Sequence, residues 1–253
     1  MGLFDFLKKG SNPPPAQADA APVNKKIAGH AKVVGDRRAQ TYDRAESIQA
    51  LTEARSKDAA AALLRRFTFS IDPSITDQEE KESAFQGIVG AGPEAVPAVR
   101  AFCAKAEVLT WPLKIFRVLL DDAGFRAELL ALAEGFDTEY ARNVEPKLQV
   151  VAALAEVQGD DVRAAAERFL ADVNETVRFH AVASTFAQDD EASVAPLLEM
   201  AASEESVRIK NKVAEGFAQK GWILPESSRS DARKALADAY EWSITASGTV
   251  ARR

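Results

Sequence analysis

The stretch ETVRFHAVASTFAQ at residues 175–188 is nearly repeated as ESVRIKNKVAEGFAQ at residues 205–219. In the first copy, Val177, Ala181 and Phe186 recur at helical spacing behind Asn174, a good N-cap residue. A second apolar stripe follows in residues 190–202 before the pattern restarts with Val207. The unit is therefore helix, turn, helix, turn, and since one such hairpin cannot bury its own apolar faces, it must stack on further copies.

The same unit is recognisable along most of the chain. First helices are predicted to begin near Thr41, Asp77, Trp111, Glu145, Glu175 and Ser206, and second helices to cover 58–69, 93–106, 122–135, 160–172, 190–202 and 226–240. A capping box of Thr76 and Glu79 is expected at the start of the second unit. Residues 67–77 break the pattern and are predicted to form a longer connection whose Phe67, Phe69 and Ile71 cover the core.

These residues predict an all-α fold, an α-solenoid (superhelix) of about six helical hairpins spanning residues 38–241. The stretches ETVRFHAVA, ESVRIKNKVAEGFAQ and GPEAVPAVRAF (92–102) resemble HEAT repeats of the short kind named after phycobilisome lyases. The resemblance covers roughly residues 40–240 and implies a scaffold, or a lyase-associated or chaperone-like factor. Residues 242–253 alternate apolar side chains around ASG, which predicts a C-terminal tail or short β-hairpin.

Charge is distributed unevenly along the chain. The net charge is −6, but residues 1–41 hold seven basic and three acidic side chains, so the remaining 212 residues carry −10. An acidic body disfavours sequence-independent nucleic-acid binding, so no nucleic-acid partner is expected. A further alternative to a scaffold is a relative of the HEAT-like DNA glycosylases. Such a protein would need a basic groove with aromatic residues and a catalytic carboxylate.

Nothing in the sequence predicts catalysis, a cofactor or a metal. The single cysteine, Cys103, lies in an apolar stripe and is read as a small core residue, and a chain with one cysteine fits a cytoplasmic location. Arg178 and Arg208 occupy the repeated Val-Arg position and are expected to pair with acids of adjoining turns. The acidic pairs at 121–122, 160–161 and 189–190 each fall at the start of a second helix, where capping explains them. We therefore expect a protein that is not an enzyme.

The N-terminus is the least ordinary part of the sequence. Residues 1–9 form a short amphipathic segment, and residues 10–37 are predicted to be a flexible Pro/Ala-rich and basic linker. Three roles stay open for this segment: docking on a protein partner, weak contact with a membrane surface, or none. Its docking or anchoring residues would be Leu3, Phe4, Phe6, Leu7, Lys8 and Lys9.

The second helices of such arrays usually line the concave face, and their exposed sides follow from the apolar stripes. The residues expected to contact a partner there are Lys105, Glu134, Arg163, Glu167, Glu199 and Lys234. Their mixed charge suits a protein or peptide partner better than a polyanion. The function that the sequence favours is therefore a non-enzymatic adaptor or scaffold that binds a protein or peptide.

Overall fold

The computed structural model describes residues 25–253, which are mostly helical. These residues form thirteen α-helices and one two-stranded sheet: α1 Lys25–Val34, α2 Thr41–Ala54, α3 Lys57–Leu63, α4 Ser74–Gly90, α5 Val96–Cys103, α6 Thr110–Leu119, α7 Asp122–Glu134, α8 Glu145–Ala153, α9 Asp160–Arg168, α10 Glu175–Ala187, α11 Val194–Ser203, α12 Val207–Lys220, α13 Arg229–Ala235, β1 Trp242–Ile244 and β2 Val250–Arg252. Short 3-10 turns extend or precede several helices, including Leu64–Thr68 after α3 and Gly92–Ala95 before α5.

Local capping explains where several helices begin. The side chain of Asn174 accepts hydrogen bonds from the backbone N–H groups of Thr176 and Val177, as the sequence predicts for α10. The predicted capping box at Thr76 and Glu79 is wrong. Because extended Pro73 directly precedes Ser74, α4 begins three residues earlier than expected, and Thr76 lies inside the helix.

Helices pack against their next-but-one neighbours. In one set, α2 packs against α4, α4 against α6, α8 against α10, and α10 against α12. In the intervening set, α3 packs against α5, α7 against α9, and α11 against α13. The apolar residues between the two sets form one continuous core.

Residues 10–37 were predicted to be a flexible linker, but part of this range, Lys25–Val34, forms helix α1. Ile27, Ala31 and Val34 recur at helical spacing and give Lys25–Val34 an apolar face. That face packs against α2 and α3, and it buries Ala31 and Val34. Residues 1–24, which include the segment 1–9 and the proline-rich part of the linker, lie outside the described residues.

In residues 175–188 and 205–219, the positions that match in sequence are not the positions that are buried in both helices. Val177 is fully buried, but Val207, which stands at the same place in the second stretch, is 45% exposed. Ile209 lies in the core instead. Buried positions are related by a shift of 32 residues, so Val182 corresponds to Ala214. The predicted apolar position at Val207 is therefore wrong, because α12 begins at Val207 itself, 32 residues after Glu175 at the start of α10, so Ile209 takes the place of Val177.

Basic side chains connect successive parts of the C-terminal half. A basic residue on α8, α10 or α12 reaches an acid that follows the next helix: Lys147 to Asp172, Arg178 to Glu204, and Lys210 to Asp238, each at 2.7 Å. The pairing predicted for Arg178 is thus confirmed. Arg208 also pairs with a neighbouring acid, Glu175, at 3.6 Å, although both side chains are about half exposed.

The predicted C-terminal hairpin is confirmed. β1 and β2 pair antiparallel with Ser243 opposite Ala251, and Gly248 adopts φ 96° in the turn between them. Both strands contact α12, and Val250 is buried. Among the helices of residues 25–253, none combines the length and apolar character that crossing a bilayer requires.

Substituting Val182 by Asp tests the assignment of the α10 core. Val182 is 0% exposed, so Val182→Asp would bury an unpaired charge and lower the free energy of unfolding by more than about 4 kcal/mol. Val207→Asp is the matched control. Val207 is exposed in the first turn of α12, where an acid is tolerated, so its effect stays within about 0.5 kcal/mol. Urea denaturation measures the unfolding free energy of both variants. Equal losses of stability would contradict the assignment of Val182 to the core and of Val207 to the surface.

Candidate functional site

A groove of about 1110 Å³ opens in the N-terminal half of the described residues. It lies between the end of α3, the connection that follows it, α5, and the start of α6. Ala61 on α3 and Ala98 and Ala101 on α5 line it, and their short side chains leave room between the two helices. The volume exceeds the roughly 300–1,000 Å³ that is typical of small-molecule sites.

Aromatic rings form one wall of the groove. Phe67 and Trp111 stack with ring centroids 5.4 Å apart and planes 4° from parallel, and Phe85 tilts against Trp111 at 5.8 Å. Phe69 and Phe102 also line the groove, and both are half-buried. The wall therefore offers flat apolar surface that remains partly accessible to solvent.

The rim of the groove is basic, although the body of the protein is acidic. Arg65, Lys105 and Lys114 line the groove with exposed side chains, and Glu107 is the one acid among the described residues that line it. The ammonium nitrogen of Lys114 lies 4.6 Å from the centroid of the Trp111 ring, a cation–π geometry. Cationic groups thus surround the aromatic wall.

A buried ion network holds the connection that forms this wall. The guanidinium of Arg66 is fully buried, and it donates to Glu80 at 2.6 Å, to Asp77 at 2.7 Å and to the carbonyl of Phe69 at 3.1 Å. It also lies 4.6 Å from the centroid of the Phe69 ring. Glu80 in turn accepts from Arg44 of α2 at 2.9 Å. Helix α2, helix α4 and the connection are therefore joined through two carboxylates.

Asp77 is the carboxylate that fixes the connection itself. It accepts from the Lys81 ammonium at 2.6 Å and from the backbone N–H of Ile71 at 3.1 Å, and Lys81 also donates to Ser70. Burial opposes ionisation of this carboxyl, but the hydrogen bonds from Lys81 and Arg66 outweigh that effect and hold its pKa below the ordinary value. Asp77 is thus an ionised group whose charge is needed in the folded protein.

Lys105, one of the six residues predicted to contact a partner, lines this groove. Of the other five residues predicted to contact a partner, Arg163 and Glu167 pair with each other at 3.0 Å. Arg163 also reaches Asp190 at 3.0 Å, and Glu167 accepts from Ser193, so both side chains are engaged inside the protein. Their role in binding stays a prediction.

Glu134, Glu199 and Lys234 lie on separate helices and do not line the groove. Glu134 is largely exposed and lies 3.7 Å from Arg168, while Lys234 pairs with Asp231 at 3.0 Å. The structure does not bring these three residues together with Lys105 in one site. The residues Leu3, Phe4, Phe6, Leu7, Lys8 and Lys9 lie outside the described residues.

The cysteine and several carboxylates outside the groove have structural roles. Cys103 is buried, and burial, with the nearby Glu128 adding to it, raises the pKa of its thiol to about 12. Asp121 caps α7, and Asp190 caps the turn before α11. No cluster of metal-ligating side chains occurs within residues 25–253.

The aromatic lining of the groove and the basic residues Arg65 and Lys114 were not predicted from the sequence. Phe67 and Phe69 were predicted to cover the core. Phe67 does pack against the core, and both rings are half-buried and also line the cavity. The signal was the break in the repeat pattern at residues 67–77, directly after two consecutive arginines. A break of this kind marks a place where a connecting segment, rather than a helix, forms part of the surface.

Replacing Asp77 by Asn tests the ion network. The variant removes one anion and leaves the buried cations Arg66 and Lys81 undercompensated, so the unfolding free energy should fall by about 3–5 kcal/mol at neutral pH. Asp231→Asn is the matched control, because its partner Lys234 is also a lysine but both side chains are exposed. Its effect should stay under about 1 kcal/mol.

The same variant has a defined pH dependence. Since the folded-state pKa of Asp77 lies below its ordinary value of 3.8, its contribution is present above that value and is lost as the pH falls further. The difference between the wild type and Asp77→Asn should therefore narrow as the pH is lowered to about 3. Urea unfolding across this range measures it. A stability difference between the wild type and Asp77→Asn that grows as the pH falls would contradict the lowered pKa of Asp77.

No protein-family model, curated protein or solved structure matches the chain. The resemblance of residues 175–188 and 205–219 to HEAT repeats therefore stays an expectation from the sequence. The case for a function rests on the geometry and charge of the groove.

Proposed function

We propose that the chain is a non-enzymatic scaffold or adaptor that binds a segment of a protein partner in the groove between α3, α5 and α6. The observation that carries this proposal is the groove itself. It combines a volume of about 1110 Å³, stacked rings of Phe67 and Trp111, and exposed basic residues at the rim. Interface centres are typically enriched in aromatic residues, and polar or charged groups surround them.

We also propose that the helices form an α-solenoid of six HEAT-like hairpins. The hairpins would be α2–α3, α4–α5, α6–α7, α8–α9, α10–α11 and α12–α13. The packing of alternate helices supports this arrangement, as do the basic–acid pairs that recur in the last three units. In such an array each unit contacts chiefly its neighbours, which leaves extended surfaces for binding.

The lining of the groove favours binding over catalysis. Glu107 is its single acid, and it has no neighbouring acid or histidine in the lining with which to share proton transfer. The buried Cys103 is held as a thiol and lacks the thiolate character of a nucleophile. These features support a scaffold over an enzyme.

One observation favours a second candidate. A basic rim next to stacked aromatic rings is also what a nucleic-acid-binding relative would need. The −10 charge of residues 42–253 acts against it, because a polyanion longer than the groove would run over acidic surface. The two candidates differ in whether the groove prefers a peptide or an oligonucleotide.

Blocking the groove tests the proposed function. Ala101 is exposed on α5 and lines the cavity, so Ala101→Trp would fill the groove without removing any core contact. Peptides selected from a random display library on the full chain should bind this variant at least about 10-fold more weakly than the wild type, a loss of about 1.4 kcal/mol. Trp111→Ala, which removes the aromatic wall, should have the same effect.

Tyr140→Ala is the control, because Tyr140 is exposed and does not line the groove. Its binding should equal that of the wild type, and circular dichroism should show that all three variants keep their helicity. If no peptide is selected, or if selected peptides bind Ala101→Trp as well as the wild type, the proposed function is wrong. Groove-dependent binding of duplex DNA at physiological salt would favour the second candidate.

A further inference from the structure

Within residues 25–253, the three basic residues at the rim have no carboxylate partner. Within residues 25–253, Arg65 donates only to the carbonyl of Ala31 at 3.5 Å, and Lys114 lies over the Trp111 ring without an ion pair. Lys105 has no polar partner there either. Other basic residues near this groove, such as Arg66 and Lys81, are neutralised by Asp77 and Glu80. Among the described residues, the rim therefore presents three positive charges against one acid, Glu107, which forms no ion pair with them.

The apolar part of the groove lies directly beside these cations. Lys114 is positioned over Trp111, and Lys105 follows the half-buried Phe102 near the end of α5. Between the helices, Ala61, Ala98 and Ala101 leave space that a flat side chain can enter. A ligand that fits must therefore place an apolar ring in the space and anionic groups within reach of the rim.

We infer that the groove binds an acidic peptide segment that carries aromatic side chains, with its rings in the cleft and flanking carboxylates at Arg65, Lys105 and Lys114. This inference rests on the proposed function, and it adds the chemistry of the partner. Charge complementarity selects the acidic peptide. The volume of about 1110 Å³ admits several residues of an extended chain, which is more than a typical small-molecule site holds.

Two other occupants fit the observations less well. A nucleic acid longer than the groove would run over other parts of residues 42–253, whose net charge is −10. The chain's own N-terminal segment places Lys8 and Lys9 beside its apolar residues, so its charge has the same sign as the rim. A short acidic segment avoids both conflicts.

Fluorescence anisotropy with three labelled synthetic peptides tests the inference on the full chain. One peptide consists of Asp and Glu with two Phe residues, the second has Ala in place of Phe, and the third has Lys in place of the acids. We expect the acidic Phe peptide to bind at least about 10-fold more tightly than either relative. Its affinity should also fall as salt is added, because exposed charges are screened.

A variant with reversed charge at the rim tests whether the basic residues select the peptide. Lys105→Glu combined with Lys114→Glu should invert the preference, so that the basic Phe peptide binds more tightly than the acidic one. Both side chains are exposed, so the fold should be retained. Lys234→Glu is the matched control, since Lys234 is exposed and outside the groove, and it should leave the preference unchanged.

The outcomes separate this inference from the proposed function. If Ala101→Trp abolishes peptide binding but the acidic and basic Phe peptides bind the wild type equally, the groove binds peptides and the inferred chemistry is wrong. If the double reversal leaves the preference unchanged, the rim does not select the ligand and the inference is again wrong. If Ala101→Trp changes no peptide's binding, both fail. A single-stranded oligonucleotide that binds more tightly than the acidic Phe peptide at physiological salt would overturn the inference in favour of nucleic acid.

Discussion

The buried guanidinium of Arg66 is the constraint on which the candidate site depends. A cation that is fully removed from water is costly unless carboxylates and carbonyl groups surround it. Asp77 and Glu80 supply the charge, and the carbonyl of Phe69 supplies the remaining acceptor. To bring these groups to Arg66, the chain after α3 has to fold back over α4. That path places Phe67 and Phe69 at the edge of the cavity and opens the groove between α3 and α5.

The C-terminal half satisfies buried basic groups in a related way. The ammonium of Lys147 is fully buried, and it bonds Asp172 together with the carbonyls of Asp137 and Glu139. Each such pair joins α8, α10 or α12 to the turn that follows the next helix. In the Lys147–Asp172 pair both side chains are buried, so removing one partner would cost about 3–5 kcal/mol, which makes rearrangement of that turn unfavourable.

The sequence predicted the features that depend on local pattern. The helices that begin at Thr41, Glu145 and Glu175, the Asn174 cap and the C-terminal hairpin all follow from periodicity, capping and turn residues. The ion network could not be predicted, because Glu80 is 36 residues from Arg44 and 14 from Arg66, and no local rule selects those partners. The core position of Ile209 was missed for a different reason. The letters of the two stretches match at spacings of 30 and 31 residues, whereas α10 and α12 begin 32 residues apart, at Glu175 and Val207.

The central claim is that a wall fixed by Arg66 forms a binding site for an acidic, aromatic peptide. Hydrogen–deuterium exchange of the full chain, with and without a saturating concentration of the acidic Phe peptide, tests it most directly. The account predicts slower exchange on binding in residues 61–70 and 98–111, which line the groove, and no change in α10 and α12. Protection confined to the C-terminal helices, or exchange that the peptide leaves unchanged throughout residues 61–111, would contradict it.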